Sequence, residues 1–161
     1  MRTLIAYSTR HGTTLRHAEA LARVLPGEVA LADLRQEPAI DISPFGTVIV
    51  GGAIYFGHVS AALREFCLAN IEELKQKRLG LFICCWHEGE EAQKQLQAAY
   101  PLELLDAAKA KAAFGGEMDL TTMSFIERLI TRLVGKVSKS ASRYSEKAAA
   151  EFVQALQDPG R

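Results

Sequence analysis

An apolar run of strand length, Thr3–Tyr7, opens straight into Ser8-Thr9-Arg10-His11-Gly12-Thr13-Thr14, and an amphipathic helix follows without a linker. A buried strand, a tight polar loop and a helix that packs back on the strand form the first half of a βα unit. Such a loop sets hydroxyls and backbone N–H groups at the positive end of a helix, where a phosphate is stabilised. The stretch lacks the lysine of G-x-x-x-x-G-K-[ST], so it is not a nucleoside-triphosphate loop. It also lacks G-x-G-x-x-G, the usual dinucleotide fingerprint. A phosphate monoester, with several oxygens to satisfy and no metal required, suits it best. The alternative is an ordinary βα turn capped by a hydroxyl.

The rest of the chain repeats the alternation. Leu15, Ala18, Leu21, Ala22 and Leu25 recur at i, i+3, i+4 spacing and predict a helix over Thr14–Leu25, stopped by Pro26-Gly27. Strands are expected at Glu28–Leu34, Thr47–Gly51, Leu79–Cys85 and Ala112–Gly116. Helices are expected at Val59–Asn70, Glu90–Ala99 and Ser145–Leu156. Leu79–Cys85 is apolar throughout, the pattern of a central parallel strand covered on both faces. Alternation of this kind predicts an α/β three-layer sandwich around a five-stranded parallel sheet in the order 2-1-3-4-5. The direction of winding then reverses between strands one and three, and the loops after strands one, three and four share one edge.

Two of those loops add to the first. Gly51–His58 encloses Ala53, Ile54, Tyr55 and Phe56 between glycines. Glycine lets a backbone approach a flat ligand closely, Tyr55 or Phe56 offers a ring to stack on it, and Gly57 admits a strained peptide. The other reading is a strand-end turn whose aromatics complete the core. Trp86-His87-Glu88-Gly89 follows strand four and holds the single tryptophan. His11 and His58 are candidate proton carriers; the simpler reading of each is an exposed loop residue or a helix cap, and no catalytic residue is assigned.

At 161 residues, one domain spanning 1–161 is expected. The 19 basic and 19 acidic side chains balance, so nothing electrostatic points to nucleic acid. Cys67, Cys84 and Cys85 form no C-x-x-C pair, which argues against a disulfide framework or zinc. With no leader-type apolar region and no run near the roughly 20 residues of a membrane span, the cytoplasm is the expected compartment. One further segment stands out. Over Asp119–Ser142, Met123, Ile126, Leu129, Ile130, Leu133, Val134 and Val137 fall on one helical arc, and Arg128, Arg132, Lys136 and Lys139 on the other. It reads as an amphipathic insert that covers the core, or that meets an anionic membrane surface from the cytoplasmic side.

Ser8, Arg10, Gly12 and Thr14 occupy the positions of the flavodoxin FMN loop, [ST]-x-[ST]-x-G-x-[ST], with Arg10 in place of one hydroxyl. The pairing of S-T-R-x-G-x-T (Ser8–Thr14) with G-x-x-I-x-[YF]-G-H (Gly51–His58) resembles the flavodoxin-like, menaquinone-dependent protoporphyrinogen oxidases. The likeness runs through Phe66 and resumes at Gly116. It implies FMN as cofactor, held by Ser8, Thr9, Arg10, His11, Gly12, Thr13 and Thr14, by Ala53, Ile54, Tyr55, Phe56, Gly57 and His58, and by Trp86, His87, Glu88 and Gly89. It further implies oxidation of protoporphyrinogen IX, with electrons passed to a quinone or similar acceptor. The alternatives are a soluble flavodoxin-type electron carrier, against which the zero net charge weighs, and a flavin-free interaction module.

Overall fold

The computed structural model describes residues 1–115, 117–118, 141–142 and 146–160. Five parallel strands form the sheet: β1 (Arg2–Ser8), β2 (Glu28–Asp33), β3 (Thr47–Ala53), β4 (Arg78–Cys85) and β5 (Ala110–Gly115), in the order β2-β1-β3-β4-β5. The expected order is the observed one. Among the described residues the helices are α1 (Thr13–Val24), α2 (Ala61–Ala69), α3 (Ile71–Leu74), α4 (Gly89–Ala99), α5 (Leu102–Ala107) and α6 (Glu146–Gln157).

Side chains alternate across the pleat, and both faces are dry. Leu4, Ala6, Val48, Val50, Leu81 and Ile83 pack with Leu63, Phe66, Leu74, Leu96 and Leu104 from α2–α5. Ile5, Ile49, Phe82 and Cys84 face the other way, against Ala18 and Leu21 of α1 and Phe152, Val153 and Leu156 of α6. Double coverage is why β4 reads as an unbroken apolar run.

Three differences from the sequence reading have local causes. β3 runs on through Gly52 and Ala53, because both glycines are strand residues that make room for neighbours. A Cβ on Gly51 would lie 2.0 Å from Phe82 Cζ, and one on Gly52 would lie 2.7 Å from a Leu63 methyl. The closely approaching group is therefore the protein's own core, not a ligand. The short helices α3 and α5 were not predicted; at four and six residues they span too few turns for an apolar period to register. Finally, Glu117–Met118 (β6) pairs antiparallel with Ala141–Ser142 (β7), so the helical reading of 119–142 does not extend to its last two residues. Residues 119–140 of that segment, Gly116 of the predicted fifth strand and Ser145 of the predicted last helix lie outside the described residues.

Registers set the functional edge. Ser8 pairs with Gly52, Ala53 with Cys84, and Cys85 with Gly115, so the C-terminal ends of β1, β3, β4 and β5 finish side by side. The loops 9–12, 54–60 and 86–88 all leave from this edge.

Candidate functional site

The first loop is a closed turn at the mouth of α1. Gly12 caps the helix at φ +87°, a left-handed conformation that demands glycine although open space surrounds its α-carbon. Thr9 Oγ1 accepts the Gly12 N–H at 2.9 Å, which folds the loop on itself. No side chain caps α1, and its first turn carries no acid. No carboxylate in the first turn therefore competes for the positive end of the dipole.

Hydroxyls are held by partners distant in sequence. Ser60, the N-cap of α2, accepts the Leu63 N–H at 3.2 Å and donates its own proton to Ser8 Oγ at 2.7 Å. This relay leaves the Ser8 proton to be given to an acceptor in the loop. Thr13 and Thr14 are buried, and the Thr14 hydroxyl lies against the Cys84 thiol. Burial raises that thiol far above its ordinary pKa, and the Thr14 contact offsets only part of the rise.

The second loop approaches the first at the switch point between β1 and β3. Ile54 N–H donates to Cys84 O at 2.9 Å, tying the loop to the end of β4. Tyr55 and His58 then bond reciprocally, Tyr55 N–H to His58 O at 2.9 Å and His58 N–H to Tyr55 O at 3.2 Å. The two residues between them have φ +50° (Phe56) and φ +80° (Gly57), the signature of a tight type I′ turn. A phenylalanine in that region is strained by about 1–2 kcal/mol. It is nevertheless 49% exposed, so no core packing compensates.

Tyr55 is the hub of the cluster. The Arg10 guanidinium stacks 4.5 Å from its ring centroid, Phe56 meets it edge-on at 4.5 Å, and His11 lies tilted at 6.0 Å. The structure thus brings Arg10, His11, Tyr55 and Phe56 together, as expected. Trp86–Gly89 leaves the same edge one strand further along: Trp86 is half-buried, His87 and Glu88 are exposed, and Gly89 opens α4 at φ +60°. The Cys85 thiol donates to His87 O at 3.3 Å and fixes the start of that loop.

Four residues near the site were not anticipated. Ser60 had a legible signal, a serine directly before the apolar periodicity of α2. Arg35, whose Nη1 donates to Thr9 O at 2.9 Å, had none. Nor had His17, buried on α1, which is stacked on Phe114 at 5.0 Å with Nε2 3.0 Å from Gly115 O. Tyr100 had none either: its hydroxyl shares its single proton between Val50 O and Phe82 O, on neighbouring strands. An open cleft of about 640 Å³ between α1 and α6, lined by Val24, Glu151, Gln154 and Asp158, is remote from these loops. Among the described residues, no three His, Cys, Asp or Glu side chains are placed to hold a metal ion. Among them, too, no helix is long and apolar enough to cross a membrane.

A doubly wound parallel sheet with an uncapped, hydroxyl-rich helix start beside an aromatic turn at its switch point is the arrangement with which α/β proteins of this class bind phosphate. The chain belongs to the flavodoxin domain family, whose profile matches residues 4–145. Flavodoxin domains bind FMN, and the donor set here fits its phosphate monoester: hydroxyls and backbone N–H groups with no carboxylate among them. Solved structures with the same fold include two-electron reduced Megasphaera elsdenii flavodoxin (16% identity, TM-score 0.59), matched over 96% of this chain and 97% of that one. Oxidised flavodoxin 1 from Bacillus cereus is similar (14%, TM-score 0.53), over 97% of both chains. The metal-soaked Flv1 flavodiiron core from Synechocystis is also similar (18%, TM-score 0.56), over 98% of this chain. This chain spans only 36% of that protein. No curated protein of similar sequence is found.

Proposed function

We propose that the chain binds one FMN non-covalently and works as a flavin-dependent redox protein. The observation that carries this is the juxtaposition of the uncapped α1 loop with the Arg10–Tyr55–Phe56 cluster at the switch point. In this reading the Ser8 hydroxyl, the Thr13 hydroxyl and the first-turn N–H groups of α1 hold the phosphate. The Ala53–His58 turn covers one side of the flavin ring and Trp86–Gly89 borders it. Bound FMN would supply hydride or single-electron chemistry, while the protein positions the ring and sets its surroundings.

Strain retained at an exposed Phe56 is explained if its ring covers the flavin. Phe56→Asn places the preferred Asn-Gly pair in the turn. Unfolding free energy should rise by about 1 kcal/mol as the strain is relieved, while FMN affinity falls several-fold. Unchanged affinity on titration with FMN would remove Phe56 from the site.

Our finer reading is oxidation of protoporphyrinogen IX with a quinone-type acceptor. It is supported by the two loop motifs taken together, by the zero net charge, and by exposed Arg10, a cation suited to the propionates of a porphyrinogen. On sequence pattern alone, Arg128, Arg132, Lys136 and Lys139 are the proposed contact with an anionic membrane surface, where a quinone resides. The test is anaerobic incubation of FMN-loaded protein with protoporphyrinogen IX and a menaquinone analogue. Porphyrin fluorescence that grows only with FMN, protein and acceptor present is the expected result. Flavin that cycles with a reductase while no porphyrin forms would favour the soluble electron carrier.

A further inference from the structure

Resting on the FMN reading, we propose that Arg35 is a positioning residue that orients the Thr9–Arg10 peptide for an anionic phosphate. Arg35 sits in the turn that follows β2, and that turn is tightly specified. Leu34 N–H donates to Tyr7 O at 2.7 Å, Arg35 N–H to Asp33 Oδ1 at 3.0 Å, and Gln36 and Glu37 N–H to Asp33 O at 2.9 and 2.8 Å. From this knuckle Arg35 Nη1 reaches Thr9 O at 2.9 Å.

The consequence follows from peptide geometry. A trans peptide points its C=O and N–H in opposite directions, and the chain has no cis bonds among its described residues. β2 and β3 flank β1 on opposite sides. A Thr9 carbonyl drawn towards the β2 side by Arg35 therefore turns the Arg10 N–H towards the β3 side. That is the side from which the Ala53–His58 turn leaves the sheet, and where the Arg10 side chain already lies on Tyr55. Reversing this one peptide would present a carbonyl oxygen to the crevice, and an anion there would be repelled. Asp33 is itself tied into this turn. Its carboxylate is engaged within the turn by the Arg35 backbone N–H and the Gln36 side-chain amide.

The role predicts discrimination between two flavins that differ only by a phosphate. Affinities of FMN and riboflavin are measured by flavin fluorescence for wild type, Arg35→Ala and Arg35→Lys, with thermal unfolding as a check on folding and the 31P resonance of bound FMN as a local probe. Arg35→Ala should weaken FMN about tenfold, the scale of one lost hydrogen bond, and shift the 31P resonance. Riboflavin affinity should stay within about twofold, and Arg35→Lys, which keeps a donor and a charge, should recover most of the loss. FMN and riboflavin falling in parallel, or an unchanged FMN affinity, overturns the assignment. If wild type binds FMN well above riboflavin while Arg35→Ala keeps that ratio, only the Arg35 role fails. If wild type binds neither flavin, the FMN reading fails and takes this role with it.

Discussion

Gly51→Ala is expected to lower the unfolding free energy by about 3 kcal/mol, at the upper end of what overpacking a core usually costs. The new methyl would sit 2.0–2.5 Å from three atoms of the Phe82 ring, far inside contact distance. Phe82 has little room to retreat: its ring centroid is 5.2 Å from Phe114 and 6.3 Å from Phe152, and its carbonyl accepts the Tyr100 hydroxyl. Displacing it pushes on β5 and α6 together. In a protein of this length the change corresponds to a fall in Tm of roughly 6–12 °C. The double variant Gly51→Ala/Phe82→Leu should recover part of the loss, since leucine leaves space where the ring stood. The double-mutant cycle on denaturant unfolding should give a coupling of at least about 1 kcal/mol. Additive effects would mean that the two side chains do not meet.

The second large effect is a loss of stability in alkali. Tyr100 is wholly enclosed, and burial raises its phenol well above the ordinary 10.0. Burial likewise pushes the Cys67 thiol up from 9.0 to about 12, and Cys84 further still. In each case the folded chain holds a proton that the unfolded chain releases. The stability these groups contribute is whole below about pH 9 and is lost as pH rises, because the unfolded state then binds fewer protons than the native one. Each group removes about 1.4 kcal/mol per pH unit above its unfolded pKa. Denaturant midpoints should thus be flat from neutral pH to about 8.5 and fall steeply beyond 9, with a second increase in slope near 10 as Tyr100 joins. Tyr100→Phe should remove that later increase while lowering stability at neutral pH, where Val50 O and Phe82 O lose their donor. A midpoint that stays level to pH 11 would contradict the burial of all three groups.

The parts of this molecule that were legible in advance are those in which one short stretch carries its own signal. β1, β4 and α1 announce themselves because apolar residues recur at the period of a strand or helix covered by core. The 8–14 loop is legible because a strand, a glycine and several hydroxyls lie in unbroken succession. Gly51 and Gly52 misled for a physical reason. In sequence they look like a turn, yet Phe82 and Leu63, which explain them, lie on β4 and α2. Arg35 and the Ser60–Ser8 bond escaped for the same reason, although Ser60 itself was legible as a helix cap, since each acts on the first loop from another part of the chain, 26 and 52 residues from its partner. Contacts of this kind exist only once the sheet order is set, and no local period records them.

The central claim is that the 8–14 loop holds the phosphate of FMN. Titration of the flavin-free protein with FMN and with riboflavin, followed by flavin fluorescence and calorimetry, tests it most directly. We expect saturation at one FMN per chain, quenching of Trp86 emission, and riboflavin binding weaker by at least tenfold, since several charge-assisted hydrogen bonds are lost with the phosphate. Equal affinity for the two flavins would place the phosphate outside this loop, and no binding of either would contradict the account.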